Sequence, residues 1–171
     1  MGDPTPKRGL SAPVGFVKID GVKGEATAAG HEGEIPVVSF ELGAKHSAAP
    51  TKSEGGAQKT KITAGDLKFV ANTSSASPQL FIKHAYGTKI DTVEVTLVKP
   101  VGQDKLEYLT VTLTDVMISS YQASVAPGDQ EAVDNVTLNY RKIDFKYTST
   151  TKDHKPGTST ATSYDAATPT P

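Results

Sequence analysis

Between Leu106 and Tyr121 the chain alternates, with Leu109, Val111 and Leu113 pointing one way and Thr110, Thr112 and Thr114 the other. A period of two is what a β-strand imposes, and the β-branched residues that dominate here favour strands. After Thr114 the apolar positions move to even numbers, at Val116 and Ile118. A slip of one residue would turn hydrophobic side chains to water. The spacing therefore predicts one long strand with a bulge or corner near Thr114 and Asp115; a straight strand buried on both faces is the alternative. Asn135 to Tyr147 repeats the pattern. Val136, Leu138 and Tyr140 give way to Ile143, Phe145 and Tyr147, so that strand slips near Arg141 and Lys142. Two long strands bending together suit a closed barrel.

Shorter strands fill the rest. Val14–Ile19 ends at the turn pair Asp20-Gly21. Ile35–Leu42 contains Pro36, which cannot donate a ladder hydrogen bond and so places the start of that strand at an edge or outside the pairing. Thr60–Thr63 and Leu67–Ala71 are separated by Ala64-Gly65-Asp66, and Val93, Val95 and Leu97 mark a strand that turns at Pro100–Asp104 into the long one, as a hairpin. One helix is predicted over Pro78–Tyr86, with Ser77 as its cap, Pro78 at the first helical position and Gly87 in the left-handed conformation beyond its end. Leu80, Phe81, Ala85 and Tyr86 are expected to cover one end of the sheet. Residues 43–61 read as a long exposed loop or extended hairpin, and loops of that length are often functional. Residues 122–133 are polar and hold the turn Pro127-Gly128-Asp129. Residues 1–13 read as a flexible arm and 148–171, rich in Thr, Ser, Ala and Pro, as a disordered or draped tail.

Composition adds limits. At 171 residues the chain fits one domain, spanning about 14–147, and 15 glycines, 11 prolines and no tryptophan suit an all-β fold with many turns. The fold class is therefore all-β: a bent-strand β-barrel formed by two sheets, with one short α-helix at about 78–86 and an extended loop at about 43–61. The formal charge of −1 provides no long-range attraction for nucleic acid, and no apolar run approaches the roughly 20 residues of a membrane span. Neither nucleic-acid binding nor membrane insertion is expected. Without cysteine there is no disulfide, thiolate or Cys-based zinc site. Lys7 and Arg8 are not followed by the apolar core of a signal peptide.

The search for chemistry yields little. There is no phosphate-cradling Gly-Lys-Ser/Thr loop and no Gly-x-Ser-x-Gly elbow. His31, Glu32 and Glu34 are the one tight His and carboxylate group, without a second His at ligand spacing, and they read as solvated loop charges. Glu107 and Asp115 stand eight residues apart on one strand, over ~20 Å, too far for a catalytic pair. No catalytic residue, cofactor or metal is expected, and the chain reads as a non-enzyme.

Several segments then resemble one family in order and spacing. Phe16–Glu25, His31–Phe40, Gly65–Phe69, Ser77–Leu80, Leu106–Tyr121 and Asn135–Tyr140 look like successive pieces of the haemolysin-coregulated protein (Hcp) family, tube subunits of bacterial type VI secretion systems. The resemblance covers about residues 14–147. It implies a barrel subunit that forms hexameric rings stacked as a tube, enclosed by a contractile sheath, tipped by a spike and carrying small effectors in its lumen. It also implies a protein that is cytoplasmic before firing and then secreted without a cleaved signal peptide. Residues 43–61 correspond to the family's extended loop, which makes Lys45, Lys52, Glu54, Lys59 and Lys61 candidate ring or stacking contacts, although relatives are often mostly glycine there. Residues 122–131 correspond to a lumen-side loop, with Ser124, Val125, Ala126 and Asp129 as its candidates. Thr110, Thr112 and Thr114 are candidates for an interface strand face. On this reading deletion of Thr151–Pro171 leaves ring formation intact. The alternative is a secreted β-sandwich module binding a carbohydrate or protein, for which 6% aromatic residues build a ligand face with difficulty.

Overall fold

The computed structural model describes residues 12–46, 62–63 and 65–168. In chain order the elements are β1 (Gly15–Ile19), β2 (Ile35–Leu42), β3 (Lys45–His46), β4 (Ile62–Thr63), β5 (Leu67–Asn72), α1 (Ala76–Ala85), β6 (Ile90–Val101), β7 (Asp104–Ser124), β8 (Val133–Thr150) and β9 (Pro156–Asp165). The main sheet runs β5-β2-β1-β6-β7-β8-β9, and β8 also pairs with β5, from Leu67↔Leu138 to Asn72↔Val133. That second pairing closes six strands into a barrel and leaves β9 outside, so the open sandwich of the alternative reading is not formed. β3 and β4 pair as a small separate sheet, Lys45↔Thr63 and His46↔Ile62, forming the base of a hairpin. Lys52, Glu54, Lys59 and Lys61 lie outside the described residues. Pro36 stands opposite Phe16 of β1, while β5 pairs with β2 only from Val37 onward, so one flank of Pro36 has no strand beside it.

The barrel interior is aliphatic. Val17, Val37, Leu67, Val95, Val111 and Leu138 are fully buried, and Leu80 and Ala76 of α1 join the same core at one end. The bend predicted near Asp115 is present and involves three strands. Inward positions pass from Ile90 to Val93 on β6, from Leu113 to Val116 on β7 and from Tyr140 to Ile143 on β8. These steps lie in one row, since Ile90, Val116 and Tyr140 are partners, as are Val93, Leu113 and Ile143. Because all three strands slip together, pairing continues in register across the bend. Asp115 absorbs it with φ of 54°, a left-handed conformation that a short polar side chain tolerates better than most. The register shifts of the β7–β8 and β6–β7 ladders lie elsewhere, between Ile118 and Ser120 and between Leu97 and Val98.

Three expectations need correction. The helix spans Ala76–Ala85 rather than 78–86: Ser75 occupies the cap position without a side-chain cap bond, and Ser77 sits inside the first turn, its Oγ accepting the Ser74 N–H at 2.9 Å. Gly87 does take a positive φ, 59°. Of the four residues expected to cover the sheet, only Leu80 is buried. Phe81 is 53% and Tyr86 80% exposed, because at 100° per residue a helix that turns Ala76, Ser77 and Leu80 inward turns Phe81 and Tyr86 outward. Finally, 148–168 is not a disordered tail. β8 continues to Thr150, turns through Thr151–Lys155, and β9 returns along it from Thr150↔Pro156 to Lys142↔Asp165. Its Thr and Ser residues make a strand by backbone pairing and β-propensity, with hardly any burial.

Candidate assembly surfaces

Alternation along β7 fixes where its hydroxyls go. Val111 and Leu113 are buried, so Thr110, Thr112 and Thr114 stand on the outer face, half-buried. Thr110 and Thr112 line an open groove of about 370 Å³ with Asp144, Phe145 and the Ala161–Ser163 stretch of β9. Thr114 lies farther along, beside Lys142 at the bend, and is not among the residues lining the groove. The groove exists because β9 lies along β8, so the segment read as a tail supplies one of its walls.

Residues 122–131 are exposed throughout, with Ser124 at the end of β7 and Val125, Ala126 and Asp129 in the loop that follows. Its turn is tied by two bonds: the Ala126 N–H donates to Asp129 Oδ2 and the Asp129 N–H to the Ala126 carbonyl, both at 3.0 Å. The end of the loop is rooted against the link between β5 and α1, since the Thr73 N–H donates to the Ala132 carbonyl at 3.0 Å. Next to that root Asp134 is almost fully buried and takes hydroxyl bonds from Ser77, from Thr73 at 3.0 Å and from Tyr121 at 3.0 Å. Burial and then the neighbouring carboxylate push the Tyr121 hydroxyl above its ordinary pKa. Asp134 holds the even-numbered inward phase of Val136, Leu138 and Tyr140, and that phase was the available signal for it.

His31 is not a solvated loop charge. It is buried, its ring stacks on Phe16 at 4.3 Å, Nδ1 lies 2.9 Å from Glu34 Oε2 and Nε2 lies 3.2 Å from Glu107 Oε1. The β1–β2 connection is thereby latched onto β7. Among the described residues no group of three or more His, Asp or Glu is arranged to hold a metal. Glu107 and Asp115 serve separate contacts. Asp115 is 2.8 Å from Lys89 and 2.6 Å from Arg141, whose other nitrogen reaches Asp165 of β9. Hydrogen bonds from Lys89 and then Arg141 hold the Asp115 carboxyl below the usual range, and those from the Ala167 N–H and then Arg141 do the same for Asp165. His84 ties α1 to the sheet through Nδ1, whose N–H donates to the Ile118 carbonyl oxygen at 2.8 Å.

The sequence and the overall fold have known relatives. The family model described as "Type VI secretion system effector, Hcp" matches residues 16–147. Protein hcp1 of Pseudomonas aeruginosa is 30% identical over 132 residues, covering 77% of this chain and 81% of that protein. Among solved structures, a type VI secretion system effector from Yersinia pestis superposes with a TM-score of 0.70 at 26% identity, over 88% of this chain and 98% of the other. Hcp1 from Salmonella typhimurium gives 0.71 at 26% identity, over 90% and 94%.

Proposed function

We propose that this chain, which belongs to the Hcp family of type VI secretion system proteins, is a non-enzymatic structural subunit that assembles into hexameric rings stacked as the inner tube of the secretion apparatus. The observation that carries the reading is the family match across residues 16–147, which takes in nearly the whole closed barrel. In this role the contractile sheath surrounds the tube, the spike tips it, and small effector proteins travel in its lumen. The protein is cytoplasmic before firing and leaves the cell without a cleaved signal peptide.

Each candidate surface has a place in such an assembly. A ring uses heterologous contacts, in which one patch meets a different patch on the next copy, and the same logic repeated along the axis gives a filament. The hydroxyl face of Thr110, Thr112 and Thr114 meets a neighbour or lines a wet tube wall. Lys45, Lys52, Glu54, Lys59 and Lys61 belong to the loop that reaches the adjacent subunit or ring. Ser124, Val125, Ala126 and Asp129 face the lumen.

Negative-stain electron microscopy and native mass measurement at high protein concentration test the reading: six-membered rings are expected, and a strict monomer in every condition sinks it. Thr112→Glu sets a second carboxylate directly opposite Asp144 in the groove, and should weaken ring formation about tenfold or more with unchanged circular dichroism. Rings of undiminished stability would remove the interface role of that face.

A further inference from the structure

The connection between β1 and β2, residues 20–34, covers part of the outside of the barrel. Its own backbone bonds shape it as a short hairpin: the Gly24 N–H donates to the Gly33 carbonyl at 2.8 Å, and the Gly33 N–H to the Ala26 carbonyl and the Ala26 N–H to the Glu34 carbonyl, each at 2.9 Å. Beneath it lies a buried cluster separate from the core. Phe16 is buried although it holds the outward phase of β1, next to the inward Val17, and its ladder partner Thr96 is buried too. The cover over Phe16 is the His31 ring, stacked on it at 4.3 Å. The connection is pinned on two sides. At α1, Glu25 Oε1 accepts the Ser75 N–H at 3.1 Å, and Gln79 exchanges bonds with the Lys23 backbone. At β7, His31 Nε2 sits 3.2 Å from Glu107 Oε1.

We propose that this connection is a flap locked shut by a proton on His31. Both ring nitrogens face carboxylate oxygens, Nδ1 that of Glu34 at 2.9 Å and Nε2 that of Glu107 at 3.2 Å. An ionised carboxylate only accepts, and a neutral imidazole has one N–H. Neutral His31 therefore bonds one partner and turns a lone pair on the other, whereas the imidazolium donates to both. Other charged groups nearby are engaged elsewhere or face water. Lys18 of β1 stands opposite Glu94 of β6, Lys99 of β6 lies over the Tyr108 ring at 5.3 Å, and Glu32 beside His31 is exposed. Where a solvated imidazole is neutral, the closed flap holds one proton more than the open one. Linkage then sets the sign: lowering the pH favours closure, and raising it through the range where imidazoles lose their charge, about pH 6 to 8, favours opening. Opening uncovers Phe16 and withdraws the bond that Glu25 lends to the start of α1. The device belongs to a single chain and does not depend on assembly.

Hydrogen exchange of the full-length protein, read by mass spectrometry over segment 20–34 and corrected for the intrinsic pH dependence of amide exchange, tests the lock. Protection of that segment should be about tenfold greater at pH ~6 than at pH ~8, while the β6 and β7 segments keep theirs. Glu107→Gln, at an exposed position, removes the need for the extra proton: the side-chain amide donates to Nε2 of a neutral imidazole whose Nδ1–H still serves Glu34. Its flap should stay protected at both pH values, with circular dichroism unchanged. Wild-type protection of 20–34 that is equal at the two pH values overturns the proposal. So does a fall of the same size in Glu107→Gln, or a loss in β6 and β7 that keeps step with the flap.

Discussion

Asp134 occupies a position that strand alternation reserves for a hydrophobe, and its environment explains how it survives there. A buried carboxylate must be paired or well hydrogen-bonded, and three hydroxyls from Thr73, Ser77 and Tyr121 supply that here. The residue joins the start of α1, the end of β7 and the root of the exposed loop, so it positions both surfaces that flank it. Asp134→Ala leaves three donors without their acceptor and should destabilise the fold by about 2–4 kcal/mol, whereas Tyr121→Phe removes one bond of the three and should cost about 1 kcal/mol. Urea denaturation separates the two. A loss under ~0.5 kcal/mol for Asp134→Ala, the range of ordinary surface changes, would show that the network holds nothing. His31 works by a similar logic, bridging Glu34 to Glu107. Its partner Glu107 lies far along the chain, and residue spacing carries no trace of that contact; the Asp134 position, by contrast, could be read from the phase of β8.

At the scale of elements, the bend was legible because an aliphatic and Thr alternation reports a phase slip directly, and β7 and β8 each carry one. β9 was not legible. Its Thr, Ser and Ala residues have no apolar face to reveal a period, and the strand exists because β8 offers it a ladder. The helix was legible in type while its inward face was not, since the apolar residues lie on both sides and only tertiary anchors choose between them. β9 is also bound to the bend through Arg141, which joins Asp165 to Asp115. Both carboxyls are held below their ordinary value. Their contribution is therefore complete above the unfolded carboxylate value, near pH ~4, and is lost as pH falls through the lowered folded values. The melting temperature of the wild type should exceed that of Arg141→Gln by a constant margin from neutral pH down to about pH 4, then converge with it in stronger acid. A margin that persists when both carboxyls are protonated would mean that the guanidinium acts by packing. The expectation that deleting Thr151–Pro171 leaves ring formation intact applies to a tail, and these residues include β9. Deleting Thr151–Pro171 strips the ladder from Lys142–Thr150 and uncovers a strand edge, so thermal stability should fall and light scattering should show aggregation. A truncated protein as stable and monodisperse as the full chain would show that β9 adds nothing to the fold.

For the whole molecule, fold and assembly meet in one thermodynamic quantity. A barrel with an aliphatic interior closed by the β5–β8 ladder does not need neighbours to bury its core, so the folded monomer is a defined state and assembly a separate equilibrium. Anything that binds the native form alone raises its stability by mass action, and in a homo-oligomer the ligand is the protein itself. In the rings proposed above, each hundredfold rise in free subunit above its dissociation constant adds about 2.7 kcal/mol to every subunit. For a domain of this size that is a shift of roughly 5–10 °C in melting temperature. Calorimetric scans across a hundredfold concentration range should show such a rise for the wild type, displaced to about tenfold higher concentration in Thr112→Glu, whose outward substitution leaves the barrel interior unaltered. Coincident curves for the two proteins would place the stabilising contact on some surface other than the groove beside Thr110 and Thr112.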